Sequence, residues 1–170
     1  MIDNNKRING IVLSSMPIGE YDKRVVILTR EMGKISAFAR GARRPGSGLL
    51  SASQPFSCGS FMIYEGKSSN SISSAHLSVS FDDIVSDLKN VWYGSYFLEV
   101  CDHFAREGLD EEERLQLLYY SLRALQSGRF EADFVRKVFD IRTMKVNGVY
   151  PDIFAGEKTA ADLGMSETAL

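Results

Sequence analysis

Apolar and polar positions alternate with a period of two through the first eighty residues, then switch to a helical period. Gly10-Ile11-Val12-Leu13 is short and β-branched. Arg24 to Thr29 carries Val25, Val26, Ile27 and Leu28 in one continuous run, the pattern of a strand covered on both faces. Lys34 to Arg40 sets Ile35, Ala37 and Ala39 against Ser36, Phe38 and Arg40. Phe56 to Glu65 and Ser71 to Phe81 give two further strands. Turn chemistry separates them: Met16-Pro17-Ile18-Gly19, then Glu31-Met32-Gly33, then the long segment from Gly41 to Pro55. Gly33 supplies a positive φ for a hairpin turn, and Gly66 with the residues up to Asn70 closes the last hairpin. Five short strands without a strong helix between them predict a small closed barrel, because closure removes sheet edges. Pattern alone admits either an OB-fold or an SH3-like barrel.

From Asp82 the spacing predicts helices. The first starts at Asp82 or Asp83 and runs toward Arg106, with Ile84, Leu88, Val91, Trp92, Leu98, Cys101 and Phe104 spread over more than one stripe, as in a central, mostly buried helix. Gly108 ends it. Asp110 as N-cap with Glu113 three residues on resembles a capping box, and Leu115, Leu118, Leu122 and Leu125 follow at helical spacing up to Gly128. A third helix covers about Ala132 to Val146, with Phe134, Val135, Val138, Phe139 and Ile141 inward; Asn147-Gly148 and Pro151 stop it. The tail from Ala155 is weakly patterned, with at most a short helix. The fold class expected is α+β: a five-stranded barrel over residues 1–81 and a helical domain over 82–170.

Charge adds a second asymmetry. The net charge of −2 is the sum of +5 from Met1 to Lys67 and −7 from Ser68 to Leu170. A basic half points to contact with a polyanion; ordinary solubilising charge explains it equally well at this stage. Composition, at 44% apolar, supports a buried core. No stretch approaches the roughly 18 apolar residues of a membrane span. The start of the chain lacks a secretory pattern, and Cys58 and Cys101 are isolated thiols, so a reducing cytoplasm is expected.

Catalytic chemistry finds little support. Gly41 and Gly46 have phosphate-loop spacing, but Ser47-Gly48 stands where Lys-Ser/Thr is required. His76 and His103 lie in different elements with no ligand or nucleophile at useful spacing, and a small hydrolase would need such a cluster. Asp82-Asp83 and Glu111 to Glu113 suit helix N-termini better than acid–base work. The expectation is therefore no enzyme, no cofactor and no metal. The positive signal is Lys34 to Gln54. Arg40, Arg43 and Arg44 lie together at the end of a strand, and a glycine- and serine-rich loop free of acids follows, suited to tracking a phosphate backbone. A solvated flexible loop has the same composition. Phe38 suits base stacking and core packing about equally.

The string Gly10 to Leu13, then Pro17-Ile18-Gly19-Glu20-Tyr21-Asp22, resembles the opening of the RecO family of recombination mediators. So do Leu28 to Lys34, Ala39 to Pro45, Gln54-Pro55-Phe56, and Phe139 to Arg142 followed by Asn147 to Pro151. The resemblance implies an N-terminal OB-fold, a helical domain, and annealing of complementary strands with help in loading the recombinase onto single-stranded DNA. It implies binding of single- and double-stranded DNA by a basic barrel face that maps onto Lys34, Arg40, Arg43 and Arg44, a ring-forming RecR-like partner, and a nucleoid-associated cytoplasmic location. It further implies that the acidic, apolar-ended tail of single-strand-binding protein docks on the helical domain at Arg136 and Lys137; a plain solvated helix face is the competing reading of those two residues. Many members carry a four-cysteine zinc motif after the position of Phe154. This sequence has no cysteine there, so zinc is not carried over. The alternative function is a protein-interaction adaptor whose barrel binds a protein.

Overall fold

The computed structural model describes residues 4–149. Pro151, Phe154 and the tail from Ala155 lie outside them. β1 (Asn5–Ile18) is long enough to serve two neighbours. Its first half pairs with β4 (Cys58–Glu65) and its second half with β2 (Asp22–Thr29), both antiparallel, with an irregularity between Val12 and Ser14 that bends the strand. β3 (Gly33–Ala39) pairs with β2, and β5 (Asn70–Val79) pairs with β4. A short parallel contact, Ala37 to Asn70 and Phe38 to Ser71, closes the barrel in the order β1-β2-β3-β5-β4. That is the OB-fold order, and the SH3-like alternative is dropped. A short helix, α1 (Leu49–Ala52), sits between β3 and β4 inside the segment read as loop; four residues are too few to show a period.

Two cores explain the unbroken apolar run of β2. Val25 and Ile27 point into the barrel with Ile8, Val12, Ile35, Phe61 and Ile63, and Ala42 and Ala52 join this core. Leu28 and, in part, Val26 point outward into a second core with Ile11, Leu13 and the helices. Each large side chain fully buried this way contributes roughly 1.5–3 kcal/mol. The second core centres on Phe97 and Phe139, whose rings stack at 4.2 Å.

The helices are α2 (Asp82–Ser86), α3 (Leu88–Phe104), α4 (Glu112–Ser127) and α5 (Ala132–Val146). The single helix expected from Asp82 to Arg106 is two. Asp87 has an extended backbone and accepts the Asn90 N–H, capping α3 afresh. Gly94 lets α3 lie against Phe56, since a Cβ there would meet the ring at 2.8 Å. Leu88 (83% exposed) and Trp92 (74%) are on the outer side of α3, contrary to the buried role expected for them. On α5 only Val135 and Phe139 of the expected inward set are buried, joined by Ala132 and Thr143; Phe134, Val138 and Ile141 are exposed. α4 begins one residue later than expected: Glu111 is the N-cap, while Asp110 accepts the Glu112 N–H. Gly128 takes the left-handed cap with φ of 62°. The α3–α4 connection returns to the barrel, where Gly33 (φ 66°) passes so close to the Leu109 carbonyl that a Cβ would lie 2.4 Å from it. Lys34 N–H donates to the Arg106 carbonyl, and Gly108 N–H to that of Met32.

Candidate nucleic-acid interface

The turn after β3 is fastened to the β1–β2 turn. Gly41 N–H donates to Asp22 Oδ1 at 2.7 Å, Arg43 N–H to the Tyr21 carbonyl at 2.8 Å, and Arg43 Nη1 to the Gly19 carbonyl at 3.3 Å. Buried Ala42 anchors the loop from below. Arg44 lies over the Tyr21 ring with its guanidinium carbon 5.1 Å from the centroid, a cation–π contact. The Tyr21 hydroxyl is hydrogen-bonded to Glu20, which raises its pKa above the ordinary tyrosine value. Arg40, Arg43 and Arg44 are all exposed, and among the described residues none forms an ion pair. This loop is thus a preformed cluster of positive charge on a fixed backbone.

Lys34 is not part of it. β3 rises about 3.3 Å per residue, so Lys34 stands about 20 Å from Arg40 at the other end of the strand. Its Nζ donates to the Asp102 carbonyl oxygen at 2.6 Å and pairs with Asp102 Oδ1 at 3.1 Å. Lys23, which the sequence reading did not single out, takes its place. Strand register sets Lys23 between Pro17 and Ala39 at the barrel mouth. Partial burial, and then the charge of Arg43, lower its ammonium pKa below the usual lysine value. An ammonium held next to a guanidinium gains from an incoming anion. Sequence proximity to Tyr21 and Asp22 was its only signal; the register that brings Ala39 alongside was not visible.

Arg136 and Lys137 stand together on α5, but both face carboxylates of their own helix. Arg136 pairs with Asp133 and Asp140, and Lys137 with Asp133 at 2.8 Å. The hydrogen bond from Lys137 above all holds the Asp133 carboxyl below the ordinary carboxylate range. Lys137 stays mostly exposed. Beside it a groove of about 570 Å³ runs between α4 and α5, lined by Tyr120, Phe130, Phe134, Val138, Arg142 and Lys145 among others. Arg142 and Lys145 have no ion-pair partner among the described residues. Apolar walls with Arg142 and Lys145 close together toward the C-terminal end of α5, where Glu113 also lines the groove, suit a peptide that combines apolar and acidic groups. Among the described residues no group of three or more His, Cys, Asp or Glu side chains is placed to hold a metal ion, and no helix is long and apolar enough to cross a membrane.

Comparison with known proteins agrees with the geometry. The model for the N-terminal part of recombination protein O matches residues 1–81, and that for its C-terminal part matches residues 85–165. The chain is 31% identical over 147 residues to the DNA repair protein RecO of Alkaliphilus metalliredigens, covering 86% of this chain and 60% of that protein. It is 32% identical over 147 residues to the protein of that name from Bacillus subtilis, with 86% and 57% covered. With the Moorella thermoacetica protein the identity is 34% over 146 residues, with 86% and 54% covered. The chain therefore spans 54% to 60% of the length of these relatives.

Proposed function

The chain belongs to the recombination protein O family, and on that footing we propose that it acts in DNA repair and recombination as a mediator without covalent chemistry of its own. The barrel binds single- and double-stranded DNA through backbone phosphates, anneals complementary strands, and assists recombinase loading. One observation carries this reading. Arg40, Arg43 and Arg44 stand exposed on one anchored loop without acidic partners among the described residues, and Lys23 is pressed toward its neutral form beside them. Phosphates between such groups relieve their mutual repulsion, and the counterions released on binding supply much of the affinity. Two screened strands held on such a surface pair more readily than two free ones.

The helical half is proposed as the seat of protein partners, a RecR-like ring protein and the tail of single-strand-binding protein. The α4–α5 groove supports the second assignment: its apolar walls suit the tail's apolar end, and Arg142 and Lys145, with Lys137 nearby, suit its acids. Arg136 is occupied by Asp133 and Asp140, so it orders the helix surface more than it meets a ligand.

Strand annealing tests the proposal. Two complementary fluorescent oligonucleotides should pair faster with the protein than without it. Arg40→Ala/Arg43→Ala/Arg44→Ala should abolish most of that gain. A triple variant that anneals like the parent protein would reject the loop as the site.

A further inference from the structure

We propose that two copies of this chain pair through the α4–α5 face, their four helices forming a bundle about a twofold axis parallel to the helices. The connection from Gly128 to Glu131 is short, so α4 and α5 form an antiparallel hairpin. Glu113 therefore stands at the same end of the groove as Arg142 and Lys145, and Ala124 at the end of Phe130 and Phe134. One side of each helix packs into the second core, through Leu118, Leu122 and Leu125 of α4 and Val135 and Phe139 of α5. The other side is open. Tyr120, Phe130, Phe134, Val138 and Ile141 are between 40% and 67% exposed. On α5, Phe134, Val138, Ile141 and Lys145 follow at steps of four, three and four, the spacing of a coiled-coil seam. The rings of Phe130 and Phe134 lie 6.1 Å apart at the head of this row. A monomer rarely leaves a contiguous apolar face of this kind to water.

Charge and size choose the occupant. Glu113, Arg142 and Lys145 are exposed, and among the described residues none forms an ion pair, although they line one end of one groove. A twofold axis parallel to the helices sets α4 of one copy against α5 of the other at the same height. Glu113 then faces the partner's Arg142 and the partner's Lys145, and the contact occurs twice. At the far end Tyr120 meets the partner's Phe130 and the partner's Phe134. Each helix lies antiparallel to both neighbours, as in a four-helix bundle. An axis across the helices would instead set the charged end against the partner's aromatic end. The helices, 16 and 15 residues long, extend about 23 Å and lie side by side over about 20 Å. A ridged face of that footprint comes close to the roughly 800 Å² per partner of a standard interface. The groove is the one assigned above to an acidic, apolar-ended tail, so the two occupants exclude each other. The pairing itself does not depend on the DNA-binding reading.

Sedimentation equilibrium of the full chain from about 1 to about 200 μM, which brackets micromolar association, tests this. The average mass should rise with concentration from 19.0 kDa toward twice that value. Phe134→Ser/Val138→Ser should raise the dimer dissociation constant about tenfold or more and leave the melt of the dilute protein unchanged. Glu113→Lys brings like charges together and should raise it about tenfold. Adding Arg142→Glu and Lys145→Glu reverses both sides and should restore the parent affinity. Should the double serine variant fail to fold, the charge reversal decides alone, since its three side chains are all exposed. A mass of 19.0 kDa at every concentration would overturn the dimer and leave the groove to a foreign peptide. A dimer indifferent to Phe134→Ser/Val138→Ser would overturn it too, by placing the contact on another face. A charge reversal that recovers nothing would overturn the twofold pairing. Annealing by the arginine-loop variant is read separately, so neither result decides the other.

Discussion

Lys34 Nζ reaches Asp102 twice, at 2.6 Å to the backbone carbonyl and 3.1 Å to the carboxylate, and so ties β3 of the barrel to the last turn of α3. The side chain is only 27% exposed, the backbone N–H of Lys34 donates to the Arg106 carbonyl, and Gly108 N–H donates to the carbonyl of Met32. A lysine spent in this way belongs to the joint between barrel and helices. Lys34→Met should lower stability by about 1–2 kcal/mol in urea unfolding, the scale of a partly buried charged hydrogen bond. It should leave the salt dependence of DNA binding as it was. A slope reduced as much as by an arginine substitution would return Lys34 to the interface.

Glu111 and Arg114 form a pair buried to within a few per cent, Oε2 to Nε at 2.8 Å. Glu111 also accepts the Arg106 N–H, and Arg114 donates to Asn147 Oδ1, so the pair joins the α3–α4 loop to the end of α5. Glu111→Ala leaves a buried guanidinium without its anion and should cost about 3–5 kcal/mol in chemical denaturation. Glu111→Ala/Arg114→Met should recover much of that loss. A single variant as stable as the parent would contradict the assigned burial.

The contact between Gly94 and Phe56 admits no added atom. Gly94→Ala drives a methyl into the ring at 2.8 Å, and overpacking of this kind costs about 1–3 kcal/mol despite the better helix propensity of alanine. A thermal melt should fall by several degrees. An increase would mean that α3 can shift away from the barrel.

Burial pushes the Cys101 thiol up to about 12. The folded state keeps its proton where the unfolded chain loses it, so the contribution to stability is complete below roughly pH 8.5 and declines from there to about 12. The decline approaches about 1.4 kcal/mol per pH unit inside that window. Stability measured from pH 7 to 10.5 should fall less in Cys101→Val than in the parent protein. Identical curves would contradict this.

The barrel was legible because period-two alternation in Lys34 to Ala39 and the glycines at turns survive in any sheet. The run Val25 to Leu28 even announced its two covered faces. What stayed hidden depends on relations between distant residues. Asp87 splits the expected long helix through a cap, and nothing in its spacing separates that from a surface aspartate. Phe134, Val138 and Ile141 have the spacing of core residues, yet the first two line a groove and Ile141 is exposed, because α5 has apolar residues on two stripes and only one is covered among the described elements. Lys34 joins Arg40 only through the family resemblance, whereas β3 sets them at opposite ends. Lys23 needed the β2–β3 register to be seen.

Affinity for a single-stranded oligonucleotide as a function of salt goes straight to the basic loop. For the parent protein log affinity should fall linearly with log salt, by about 0.7 per phosphate contact. Arg40→Ala/Arg43→Ala/Arg44→Ala should flatten the slope by about 2, three contacts' worth. A triple variant whose slope equals that of the parent would show that these arginines touch no phosphate.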